Sequence, residues 1–199
     1  EIGLDWEQNF NLKPRVIKQI KRVSERNDVS LIVHTPWYLQ TSAIIPEIAS
    51  AVIKIVKKGI ILASKVNADR VTIHPGFKEM PGRAINKTYE ALIRNLKEIV
   101  GFGKKKEVMI GLENFNKNPY TLCSDVKDLL RVVNSVEGLK VVLDVGHANT
   151  TSLKPLKYFE RVKDLVIDMH VHDNNGVSDE HLLIGEGNID FKSLVRRCK

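Results

Sequence analysis

Residues 140–174 read KVVLDVGHANTTSLKPLKYFERVKDLVIDMHVHDN. The run Lys140 to Asp144 is apolar and rich in β-branched residues before it ends on an acid, and Val166 to His170 repeats that design with a terminal histidine. Between them, residues 153 to 161 carry apolar side chains at spacings of three and four, the period of a helix with one buried face. A strand, a helix and a second strand within about thirty residues make a β-α-β unit, and its two strands run parallel because the crossover returns the chain to the same end of the sheet.

Working outward in both directions, the same alternation repeats. Strands are predicted at Glu1 to Asp5, Ser30 to His34, Arg70 to His74 and Val108 to Glu113, in addition to the two already quoted. Helices are predicted near 14 to 26, 46 to 66, 83 to 101 and 124 to 134, and a last one follows Asp190, a suitable N-cap. Six units in 199 residues is about 33 residues per unit, and eight such units reach the roughly 250 residues of a (β/α)8 TIM barrel. The expected fold is therefore an α/β (β/α)8 barrel, incomplete in this chain, with residues 1–199 forming a single domain that lacks the first and eighth units. The competing architecture is an open doubly wound sheet, which periodicity alone does not exclude. Glu1 stands where a start methionine would be, and E-I-G-L-D already reads as the end of a strand, so the chain is expected to be cut at its start.

Composition narrows the function classes. With 43% hydrophobic and 28% charged residues the chain has a real core and no disordered character. Its longest apolar stretch, Ile44 to Val56, is interrupted by Glu47 and Lys54, so no membrane span is expected. Cys123 and Cys198 lie far apart with no disulfide framework around them, and the cytoplasm is the expected compartment. The net charge of +7 is spread over several predicted helices and is read as a solvated surface.

All six histidines fall at predicted strand ends or in the loops that follow. His34, His74, Glu113, Asp144 and His170 close successive strands at intervals of 40, 39, 31 and 26 residues, one β-α unit each. In a parallel barrel these ends meet at one rim, where active sites are assembled from several strands. Neutral imidazole and carboxylate are ligands that zinc and manganese accept, and Glu113, central in the order, has two oxygens with which to bridge two ions. Asp144 with His147, in L-D-V-G-H, and Asp179 with His181, in D-E-H, offer a further three-ligand site. The segment Val171 to Asp190 carries too many turn residues and ligand types for a plain connector and is read as an active-site loop. Gly185 and Gly187 around Glu186 are read as a turn.

Six motifs in this order resemble the xylose isomerase-like barrels, which include sugar and sugar-phosphate isomerases and epimerases and the endonuclease IV family of abasic-site nucleases. They are H-T-P-W-Y (34–38), I-H-P-G (73–76), L-E-N (112–114), L-D-V-G-H (143–147), M-H-V-H-D-N (169–174) and D-E-H-L-L-I-G-E-G-N-I-D-F (179–191). The resemblance implies one to three divalent ions, zinc or manganese: one held by His34, His74 and Glu113, a second by Glu113, Asp144 and His170, a third by His147, Asp179 and His181. Catalytic roles fall to Glu113, His170 and Glu186, and substrate contacts to Trp37, Tyr38, Asn114 and His172. A sugar or sugar-phosphate isomerase or epimerase is the expected function, DNA with abasic sites the partner of the nuclease alternative, and a non-catalytic metal-binding protein the third. An oligomer is compatible with all three. Two departures favour the isomerase branch over the nuclease: F-N-K-N-P-Y (115–120) follows L-E-N where the nucleases are Gly-rich, and His172 replaces their usual Asn.

Overall fold

The computed structural model describes residues 1–5, 7–78 and 85–198. Six strands form one parallel sheet in sequence order: β1 (Ile2–Gly3), β2 (Ile32–His34), β3 (Arg70–Ile73), β4 (Met109–Glu113), β5 (Leu139–Asp144) and β6 (Val166–His170). A doubly wound sheet would reverse its strand order at a switch point. Strictly consecutive parallel neighbours instead describe an incomplete (β/α)8 barrel, curled so that its far strands approach each other. The curl is visible in side chains: Arg70 on β3 donates to the carbonyl of Ile167 on β6, and Glu1, beside β1, lies 3.3 Å from His170 at the end of β6.

The helices α1 (Pro14–Asn27), α2 (Pro46–Val66), α3 (Ile85–Lys104), α4 (Val126–Asn134), α5 (Val145–Asn149), α6 (Pro155–Val162) and α7 (Phe191–Cys198) follow the strands. Proline opens α1, α2 and α6, where its missing N–H removes no helical hydrogen bond. In α2 the buried side chains Val52, Ile53, Val56, Ile60, Ala63 and Val66 recur at helical spacing and join the core cluster with the strands. That helix stops at Asn67, whose φ of 61° turns its N–H back to the Ala63 carbonyl.

The predicted elements are all present with shifted ends. The first strand shrinks from Glu1–Asp5 to two residues, and the helix expected over 83 to 101 runs to Lys104, its predicted start lying outside the described residues. The short α5 has no counterpart among the predicted helices. Cys123 and Cys198 are free, and no described helix is long and apolar enough to cross a membrane.

Candidate metal centre

Because the strands are parallel, every strand end faces one rim. β4 delivers Glu113, which is 2% exposed and sits at the middle of the cluster. Its Oε2 lies 3.4 Å from His34 Nε2, 3.1 Å from His74 Nε2 and 3.2 Å from His170 Nδ1, and its Oε1 lies 3.4 Å from His147 Nδ1. Four imidazoles from β2, β6 and the segments just after β3 and β5 therefore surround one buried carboxylate.

Three groups of donor atoms lie within 4.8 Å of one another and bear directly on the expected sites. They are His34–His74–Glu113, Glu113–Asp144–His170, and His147–Asp179–His181 with His172 added. Glu113 belongs to two of them. A fourth group, Glu1–His34–His170, had no counterpart in the sequence reading. The signal for it was Glu1, an acid of the predicted first strand, which stands just before Ile2–Gly3.

The chemistry of these donors fits divalent cations. Ligands bonded at about 2.0–2.2 Å around one ion stand roughly 3.0–3.5 Å apart, which is the spacing found around Glu113. Its Oε2 is buried and makes no hydrogen bond among the described residues, and the same holds for Asp179 Oδ1. Buried carboxylate oxygens left in this condition call for a positive charge in their midst. Outer contacts orient the ligands. His147 Nδ1 lies 2.8 Å from the Asn114 carbonyl, which places the proton there and leaves Nε2 free toward Asp179, 3.2 Å away. Asp144 Oδ1 accepts the His147 backbone N–H at 2.6 Å and caps α5.

The electrostatics follow from this crowding. Burial alone would push the Glu113 carboxyl up, but His74, His170 and His34 hold it well below the usual carboxylate range. Burial pushes the His170 imidazolium down, and Glu1 and Glu113 overcome this and raise it to about 11. His147 follows the same pattern, with burial outweighed by Asp179, Asp144 and Glu113, and is raised to about 9. At His74, burial wins and the ring is lowered.

A cavity of about 810 Å³ opens over these groups, within the range of small-molecule sites. An aromatic wall leads out of it. Phe115 stacks on His74 with centroids 5.0 Å apart, Phe77 stacks on Phe115 at 5.3 Å, and Trp37 meets Phe77 edge-on at 6.3 Å. Trp37 and His172 line the cavity, whereas Tyr38 does not.

Two further expected site residues are placed elsewhere. Asn114 is fully buried, and its side chain both donates to the Asp144 carbonyl and accepts from the Asp144 N–H, at 3.0 and 2.9 Å. It joins the ends of β4 and β5 and has no atom left for a substrate. Glu186 is exposed, lies outside the cavity and accepts the Leu183 N–H within its own turn. The carboxylate that does organise this loop is Asp173, fully buried, which accepts the N–H groups of Asn174, Gly185 and Ile189. Burial pushes the Asp173 carboxyl up, and those backbone donors bring it below its ordinary value.

Known proteins share this architecture. A solved D-tagatose 3-epimerase-like protein superimposes with a TM-score of 0.90 at 28% identity, over 98% of this chain and 75% of its own. An uncharacterized protein of Methanocaldococcus jannaschii is 30% identical over 195 residues, 94% of this chain and 66% of that protein. Fructoselysine 3-epimerase of Shigella flexneri is 24% identical over 195 residues, 94% and 69% of the two chains. A probable endonuclease 4 of Halothermothrix orenii is 24% identical over 198 residues, 89% and 70% of the two. The chain thus spans about two thirds of the length of these curated relatives. A xylose isomerase-like TIM barrel model matches residues 1–199, and with the sheet order and the rim described above this places the chain in that family.

Proposed function

We propose that this chain carries the metal centre of a divalent-metal-dependent sugar or sugar-phosphate epimerase or isomerase. The observation that carries the reading is Glu113, a buried carboxylate shared by two groups of donors at the floor of a cavity large enough for a sugar. Glu113, Asp144 and His170 would hold one ion, and His34 and His74 with Glu113 another. A divalent ion bound there supplies Lewis-acid stabilisation of the negative charge that develops beside a carbonyl when a proton is removed. The imidazoles around Glu113 keep it ionised; with one ion bound, its second oxygen would be left to accept that proton, whereas with both positions filled both oxygens would serve as ligands. Returning the proton to the neighbouring carbon isomerises the sugar, and returning it to the opposite face of the same carbon epimerises it. The named epimerases among the relatives favour the second outcome. Trp37, Phe77 and Phe115 form an apolar wall against which a sugar ring face would pack.

The nuclease reading is favoured by one observation, the third donor group at His147, Asp179 and His181, and by the endonuclease relative. Three ions suit hydrolysis of a phosphodiester, in which attacking and leaving oxygens both need neutralising. The deciding experiment offers the chain, with zinc or manganese, a panel of ketoses and their phosphates and, separately, a duplex with one abasic site. Epimerised product that disappears with Glu113→Ala supports the proposal. Strand nicking that disappears with His181→Ala transfers it to the nuclease.

A further inference from the structure

His172 stands between the central and third donor groups. Its Nε2 lies 3.1 Å from Asp144 Oδ1 and 3.5 Å from Asp179 Oδ1. Its ring stacks on that of His181, with centroids 3.9 Å apart and planes 11° from parallel. The ring also rests against the backbone of Gly146, where a Cβ would come within 2.0 Å of its Cε1.

The simplest role for such a histidine, a second imidazole on the third ion, conflicts with this geometry. An imidazole nitrogen offers its lone pair in the ring plane, so an ion bound by two imidazoles lies in both planes. Stacked, nearly parallel rings share no such point. The Nε2 of His172 is instead placed to donate to Asp144 Oδ1, which already accepts the His147 N–H. With two donors on Oδ1, Oδ2 is the oxygen left to face a cation.

We infer that His172 is a positioning residue that couples the central and third cation positions, fixing Asp144 by a hydrogen bond and His181 by ring stacking. The inference rests on the cation-holding reading proposed above. Its physical basis is shared ordering. His181 is 64% exposed on the loop after β6 and its φ of 51° lies in the left-handed region, uncommon for a non-glycine residue. An ion that immobilises His181 also immobilises the ring stacked on it, and through that ring the Asp144 carboxylate, so the central ion has less left to order. The effect is reciprocal. Repulsion between the two ions is common to wild type and variants and drops out of their comparison.

Two substitutions separate the two contacts. His172→Gln keeps an N–H donor at similar reach without the ring, and His172→Phe keeps the ring without the donor. Zinc bound by the chain is counted, and each ion's affinity measured by competition with a chelating dye, with and without His181→Ala. In the His172 chain, His181→Ala is expected to remove one ion and to weaken the Asp144-dependent ion about 10-fold, the lower end of what outer-shell partners contribute. In the His172→Gln chain the same change weakens that ion about 10-fold less than in the His172 chain. His172→Phe by itself weakens it about 10–100-fold. Equal responses to His181→Ala in all three backgrounds overturn the inference while leaving the cation sites intact. Failure of the unsubstituted chain to bind zinc at all removes the cation reading itself.

Discussion

Replacing Gly146 by alanine tests the packing of His172 directly. Gly146 lies inside α5, and in an ordinary helix alanine would stabilise by about 0.5–1 kcal/mol through lower backbone entropy in the unfolded chain. Here the added Cβ would stand 2.0 Å from His172 Cε1 and 2.4 Å from both ring nitrogens. The ring, nine-tenths buried, can move away only by giving up its hydrogen bond to Asp144 and its stack on His181. Forcing extra volume into a packed site costs about 1–3 kcal/mol. Subtracting the helix gain leaves a net destabilisation of up to about 2.5 kcal/mol, or a fall in Tm of up to roughly 10 °C for a chain of this size. Thermal unfolding of Gly146→Ala reads the effect. A cycle with His172→Ala isolates it, since without the ring the same Cβ has room and Gly146→Ala is expected to stabilise by about 0.5–1 kcal/mol. A rise in Tm for Gly146→Ala in the otherwise unchanged chain, or the same fall with and without the ring, would refute the reasoning.

Three further outcomes are expected. Asn114→Ala leaves the Asp144 backbone N–H without its side-chain acceptor in the interior, at about 1–3 kcal/mol for an unsatisfied group, and chemical denaturation should show a loss of at least about 1 kcal/mol. A loss below about 0.5 kcal/mol would mean that the β4–β5 junction does not depend on it. Removal of bound metal with a chelator should lower Tm, and restoring zinc to about 1,000 times its Kd should add back about 4 kcal/mol; a melting curve indifferent to both treatments argues against ions at the rim. Trp37, 54% exposed on the aromatic wall, is expected on replacement by alanine to raise KM severalfold with little change in kcat. A large fall in kcat alone would place it at the reacting atoms.

Parallel β-α units with their strand ends on one rim were legible in the amino-acid sequence, whereas their curling into a barrel and not an open doubly wound sheet rested on the strand order. Periodicity is local information: apolar runs of strand length ending on His34, His74, Glu113, Asp144 and His170, each followed by a helical stripe, report parallel strands whatever lies far along the chain. One-directional strands then oblige those ends to share a face, so the three donor groups could be read before any coordinates. Other residues have roles that depend on neighbours distant in sequence. Asn114 and His172 both read as substrate contacts, yet Asn114 is turned onto the Asp144 backbone and His172 lies between two carboxylates, against Gly146 and His181. Glu186 looked like a rim acid, but the network around Asp173 folds the 171–190 loop so that it faces solvent. Glu1 reached His170 only because the sheet curls far enough to bring β1 and β6 together at the rim. Residue type and spacing specify which side chains leave a strand end together. Where a loop lays each of them down, and what it touches there, is set by packing and hydrogen bonds that no local pattern encodes.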